Sequence, residues 1–115
     1  MLLLQYNRFI GSGGMNISNK DVVLYFKAMA DETRLSILQM LSTEQLCACH
    51  ILEEFEITQP TLSYHMKILV DSGLVNSEKD GTWTRYSINS KIFESVSKLV
   101  NSFDVTGKDI KKRCV

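Results

Sequence analysis

The most constraining feature of the chain is a change of hydrophobic period at Gly73. Before it, residues 58–72 carry apolar side chains at helical spacing, Leu62, Met66 and Leu69. After it, residues 74–79 and 82–88 read as two strands around Asp80-Gly81, a two-residue hairpin signal. A helix stopped by glycine and followed at once by a hairpin leaves few small folds open. Thr58 is placed to cap the helix, Pro60 is tolerated in its first turn, and Gly73 suits a left-handed stop.

The segments on either side narrow the choice. Residues 20–30 form a first helix with Val22, Phe26 and Met29 on one face. Asp31 caps a second, whose stripe is Leu35, Leu38 and Leu41. Ser42 with Gln45 makes a capping box for a third, burying Leu46, Leu52 and Phe55. Asn89 and Ser90 introduce a last helix with the stripe Ile92, Val96, Leu99 and Phe103. Two short helices joined by a tight turn, then a hairpin, predict a mainly α fold with a β-hairpin wing, a winged helix-turn-helix. The apolar surface of the first and last helices points to a homodimer, the other reading being that both pack only on their own domain.

The domain is expected at 15–104, with 105–115 as a tail. Residues 1–14, ending in Gly11-Ser12-Gly13-Gly14, read as a tag remnant or a misassigned start before Met15. No apolar run is long enough for a membrane span. Three cysteines, an odd number without a secretion signal, argue for a reducing cytoplasm. Lys+Arg and Asp+Glu balance at 13 each, so any nucleic-acid surface must be a local one. No nucleophile–base pair, phosphate loop or two-histidine metal motif is present, and no enzyme is expected.

With Leu62, Met66 and Leu69 inward, Thr61, Tyr64, Lys67 and Ile68 point outward on the fourth helix, with Thr58, Gln59 and Ser63 near its start and flank. Such residues enter a major groove in double-stranded DNA readers. Gln pairs with adenine edges, Thr meets thymine methyls, and Tyr64 and Lys67 suit phosphates. The same pattern also describes a solvated helix face with Thr58 as an ordinary cap. His65 lies nearer the buried edge, as a hydrogen-bonded half-buried side chain first and a phosphate contact second. Lys79 and Arg85 flank the hairpin tip, either reaching DNA or remaining solvated beside Glu78 and Asp80.

Three motifs carry a family resemblance. Ala30-Asp31-Glu32-Thr33-Arg34-Leu35 resembles the ADxTRL opening of the ArsR/SmtB repressors. Thr58-Gln59-Pro60-Thr61-Leu62-Ser63-Tyr64-His65-Met66-Lys67 is similar to their SQPTLSxHMK reading helix. Leu46-Cys47-Ala48-Cys49 is similar to the ELCxCD box of the arsenic-responsive branch. The resemblance spans about residues 18–103 and implies a winged-helix homodimer on operator DNA, needing no cofactor to bind it. The implied inducer is As(III) or Sb(III), held by Cys47 and Cys49. Two departures bear on the third ligand: His50 replaces the usual acidic residue, and Leu52 stands where many members have another cysteine. Cys114, after Lys111, Lys112 and Arg113, is either that ligand or an idle thiol. The family's zinc- and nickel-type sites on the last helix are not expected, since residues 91–103 hold Glu94 but no histidine.

Thiolates are soft donors and match trivalent arsenic. On a regular helix, residues two apart face nearly opposite sides, so Cys47 and Cys49 are expected to grip one ion only by unwinding the helix start. On the same reasoning His50 adds little. The alternatives are that both cysteines are small buried apolar side chains, or that they sense oxidation, where only a strained local disulfide is open to them.

Overall fold

The computed structural model describes residues 17–103 and residue 105. Residues 1–14 and Cys114 lie outside the described residues. The elements are α1 (Asn19–Met29), α2 (Glu32–Leu41), β1 (Leu46–Cys47), α3 (Ala48–Glu53), α4 (Gln59–Ser72), β2 (Val75–Asp80), β3 (Trp83–Ile88) and α5 (Ser90–Asn101). This is a winged helix-turn-helix: α3 and α4 are the helix pair, and β2 and β3 are the wing. No described helix is long and apolar enough to cross a membrane.

The core is one cluster. Ile37, Ile51, Leu69 and Leu74 have no exposed surface, and Leu62, Met66, Val75, Ile92 and Val96 close around them. Each such side chain contributes about 1.5–3 kcal/mol on leaving water. The cluster joins α2, α3 and α4 to the base of the wing.

Helix α4 follows its sequence closely. Thr58 is extended and its hydroxyl accepts from the Thr61 N–H, Pro60 sits in the first turn, and Gly73 ends the helix at φ 92°. A Cβ on Gly73 would meet Ile92 Cδ1 at 3.1 Å, so space as well as conformation favours glycine there. Asp31 caps α2 as expected, its carboxylate accepting from the Arg34 N–H.

Other expectations shift. In α1 the buried set is Val22, Tyr25 and Ala28, while Phe26 is exposed. In α2, Ile37 takes the place expected for Leu35. Both segments have adjacent apolar residues, so the helical period allows more than one phase, and the packing partner decides. In α5, Ile92 and Val96 are buried, Leu99 is half-buried, and Phe103 lies beyond the helix end, exposed. The wing's two-residue loop is Gly81-Thr82, one position later than expected, because Asp80 pairs with Trp83. Within this loop Gly81 takes a positive φ, 67°, as a glycine-first hairpin loop requires.

The largest correction concerns residues 42–50. Ser42 does not open a helix. It ends α2, its hydroxyl donating to the Gln39 carbonyl. Leu46 and Cys47 instead form a short strand on the outer edge of the wing, opposite Tyr86 and Arg85 of β3. Helix α3 starts only at Ala48, and its fully buried residue is Ile51, with Leu52 and Phe55 partly buried.

Candidate nucleic-acid interface and thiol site

The outward residues of α4 form a polar face on a firmly held helix. Gln59, Thr61, Ser63, Tyr64 and Lys67 are exposed, Tyr64 at 61%, whereas Ile68, expected outward, is partly buried against the core. Thr58 is occupied as the cap, and its hydroxyl donates to the Thr61 hydroxyl at 3.0 Å. Lys67 pairs with Asp71 one turn on, at 2.8 Å, which pushes the Lys67 pKa up. A phosphate contact by Lys67 must therefore compete with its own helix neighbour.

His65 is placed differently. Its side chain is only 12% exposed, and Arg34 Nη1 lies 3.1 Å from His65 Nδ1. Arg34 Nε also donates to the Ala28 carbonyl at 2.7 Å. Asp31, Arg34 and His65 thus form a clamp that fastens α4 to the α1–α2 junction. With Arg34 donating, Nδ1 is the acceptor and the neutral ring carries its proton on Nε2. The Asp31 carboxyl is held below the usual carboxylate range, first by the Arg34 backbone N–H and then by the charge of the Arg34 side chain.

In the wing, Lys79 is exposed opposite Thr84, and Arg85 reaches back to Asp80 at 3.4 Å. The Arg85 Nε is buried without a hydrogen-bond partner. Trp83, which sequence reasoning passed over, is 58% exposed beside the wing loop. It lines a cleft of about 430 Å³ between α4 and the wing, together with Gln59, Ser63, Thr82 and Cys49. An aromatic directly after a hairpin loop was the available signal.

Cys49 lines this cleft, and Cys47 adjoins it through Cys49. Cys47 ends β1 and is the extended N-cap of α3, with φ −86° and ψ 161°, and Cys49 is in the first turn. Their Sγ atoms are 2.6 Å apart, and Cys47 Sγ is 3.1 Å from His50 Nδ1. The expectation that they oppose each other on a regular helix is corrected, because Cys47 is not in the helix. Its extended backbone turns the side chain over the first turn. The simple spacing rule also missed His50, which stands three residues after the cap, where a side chain reaches back toward it. The neglected signal was this Cys-x-x-His spacing at a helix start. Both thiols are partly or fully exposed, so they are not buried apolar side chains. The hydrogen bond from Cys49 holds the Cys47 thiol below its ordinary pKa, and the same contact pushes Cys49 up.

Comparison with known proteins agrees with this architecture. Residues 31–77, covering α2 through the first residues of β2, match the model of the arsR family of bacterial regulatory proteins. The arsenical resistance operon repressor of Staphylococcus aureus is 40% identical over 99 residues, 86% of this chain and 91% of the relative. Among solved structures, HlyU from Vibrio cholerae superposes with a TM-score of 0.64 at 32% identity, covering 76% of this chain and 92% of that one. The homodimeric winged helix-turn-helix DNA-binding domain Mb0332 of Mycobacterium bovis gives 0.60 at 26% identity, covering 71% and 80%. With its motifs, its fold and this coverage in agreement, the chain belongs to the arsR family of bacterial regulatory proteins.

Proposed function

We propose that the protein is a dimeric transcriptional repressor that leaves its operator when trivalent arsenic or antimony binds Cys47 and Cys49. The observation that carries this reading is the 2.6 Å approach of two accessible thiols at the joint between β1 and α3. Double-stranded DNA is read by Gln59, Thr61, Ser63 and Tyr64 on α4, with Lys67, Lys79 and Arg85 as phosphate contacts. His65 acts by holding α4 in place. The dimer forms through α1 and α5, where Leu24, Phe26 and Val100 are exposed in the single chain.

The thiols already converge, so the inducer does not need to unwind a helix. Bonds to both sulfurs instead pull on a joint with two attachments. Cys47 is paired with β3 of the wing, and Cys49 shares the cleft with Gln59 and Ser63 of the reading helix. Re-spacing the sulfurs around a metalloid moves α3 relative to β1, and with it the angle between wing and α4. That is a differential contact of the kind a ligand-driven switch requires. Cys114 is available as a further sulfur donor from the tail.

The same 2.6 Å contact favours a second reading, in which a peroxide takes two electrons from the pair, leaving a disulfide and two waters. One assay separates them. Reduced protein bound to operator DNA at fixed salt is treated with arsenite or with peroxide. Release by arsenite under reducing conditions, reversed by a competing dithiol, is the expected result. Release by peroxide alone sinks the metalloid reading.

A further inference from the structure

We propose that the cleft between α4 and the wing holds one strand of the DNA backbone, with the indole N–H of Trp83 and the hydroxyls of Ser63 and Thr82 as uncharged donors to it. The cleft, of about 430 Å³, is continuous with the reading face, since Gln59 and Ser63 belong to both. Among the described residues no charged side chain lines it, so a phosphate entering it meets no carboxylate. Ser63, Thr82 and Trp83 are exposed, and their side chains make no hydrogen bond to another described residue. Tryptophan is highly buried on average, yet the one tryptophan of this chain is 58% exposed.

The charge pattern around the cleft favours uncharged donors. The nearby cations are already committed, Lys67 to Asp71 at 2.8 Å and Arg85 to Asp80 at 3.4 Å, with Glu78 directly across the wing from Arg85. Basic and acidic residues balance at 13 each over the whole chain. An ionic contact to phosphate competes with those pairs. An indole N–H and two hydroxyls donate to phosphate oxygens without displacing a carboxylate. The indole also offers an apolar face to the deoxyribose. Uncharged donors release no counterions, so they add affinity without steepening its salt dependence. The inference rests on the reading of α4 and the wing as the DNA-contacting surface, and it adds to that surface a residue outside the cationic set.

The test uses the reduced, full-length protein and a DNA duplex that it selects from a random-sequence pool. Because Trp83 is the only tryptophan, acrylamide quenching of the protein's tryptophan emission reports on this side chain alone. The duplex is expected to shield Trp83 to the level of a buried indole. Trp83→Phe keeps an aromatic face and loses the N–H. It is expected to weaken binding at least about tenfold, the lower end for a hydrogen bond to a charged group. The loss should be the same factor on the selected duplex and on an unrelated one, and the slope of log affinity against log salt should stay at the wild-type value. The far-ultraviolet circular dichroism of this exposed substitution should be unchanged. The proposal is overturned if Trp83 is quenched equally on and off the duplex, or if Trp83→Phe binds like the wild type. A loss confined to the selected duplex, which would make Trp83 a base reader, or a flattened salt slope also overturns it. A wild type that binds no duplex overturns the DNA reading as well, whereas tight binding with Trp83 still accessible overturns this inference alone.

Discussion

The reading helix and the thiol corner share one cleft, but unequal amounts of structure hold them. Helix α4 runs for 14 residues, is capped at both ends, and rests on Leu62, Met66 and Leu69, all nearly or fully buried. The Asp31–Arg34–His65 clamp adds a polar anchor. The thiol corner is a strand of two residues and a helix of six, with Ile51 as its buried side chain and both sulfurs accessible. A surface that must match DNA gains from rigidity, while an element that must yield to a ligand belongs to the low-stability part of the molecule. The proposed division between reading and sensing follows that difference.

Mutations at the two regions should therefore differ most in stability. Leu69→Ala removes a side chain with no exposed surface and is expected to cost about 2–5 kcal/mol. Urea denaturation would show it as a lower midpoint with little change in slope. Cys49→Ser should leave the midpoint nearly where it is. Equal losses at the two positions would break the comparison.

The polar anchor should give a smaller effect that depends on pH. Asp31→Ala removes the α2 cap and one arm of the clamp and is expected to cost about 1 kcal/mol at neutral pH. Because the folded-state pKa of Asp31 is lowered, its contribution is present above the unfolded carboxylate value and is lost as pH falls through the folded value. The gap between mutant and wild-type midpoints should thus narrow in acid. A gap that widens in acid would show that Asp31 does not act as the anion of this clamp.

The smallest effect is expected on the helix surface itself. Lys67→Ala should flatten the dependence of log affinity on log salt by about 0.9, one phosphate's share, across all DNA sequences. Competition from Asp71 can only reduce that figure. A larger change, or one confined to a single sequence, would sharpen the picture by making Lys67 a base reader.

The contrast between the regions also explains what could be read in advance. Thr58, Pro60 and Gly73 fix α4 through local backbone chemistry, and local chemistry is legible in a sequence. The hairpin was legible for the same reason, although pairing of Asp80 with Trp83 moved the loop by one residue. The joint at residues 42–50 was not. Ser42 and Gln45 satisfy the spacing of a capping box, but Leu46 gains more by lying across from Tyr86, a partner 40 positions away. That non-local pairing makes Cys47 a cap residue and gathers the donors. The motif named both cysteines, while their geometry, and His50 with it, depended on a strand that no local pattern announces. In α1, Phe26 and Tyr25 are adjacent and both aromatic, so only packing could choose between them.

The central claim is that reading and sensing are separable, with the thiols at a joint that moves the reading helix without belonging to it. The most direct measurement is operator affinity of Cys47→Ser and Cys49→Ser, by fluorescence anisotropy at fixed salt, with and without arsenite. Each variant should bind the operator within about twofold of the wild type, a difference of roughly 0.4 kcal/mol. Each should also remain bound at arsenite concentrations that release the wild type. Release of either variant at the wild-type arsenite concentration, or loss of operator binding without arsenite, would contradict the account.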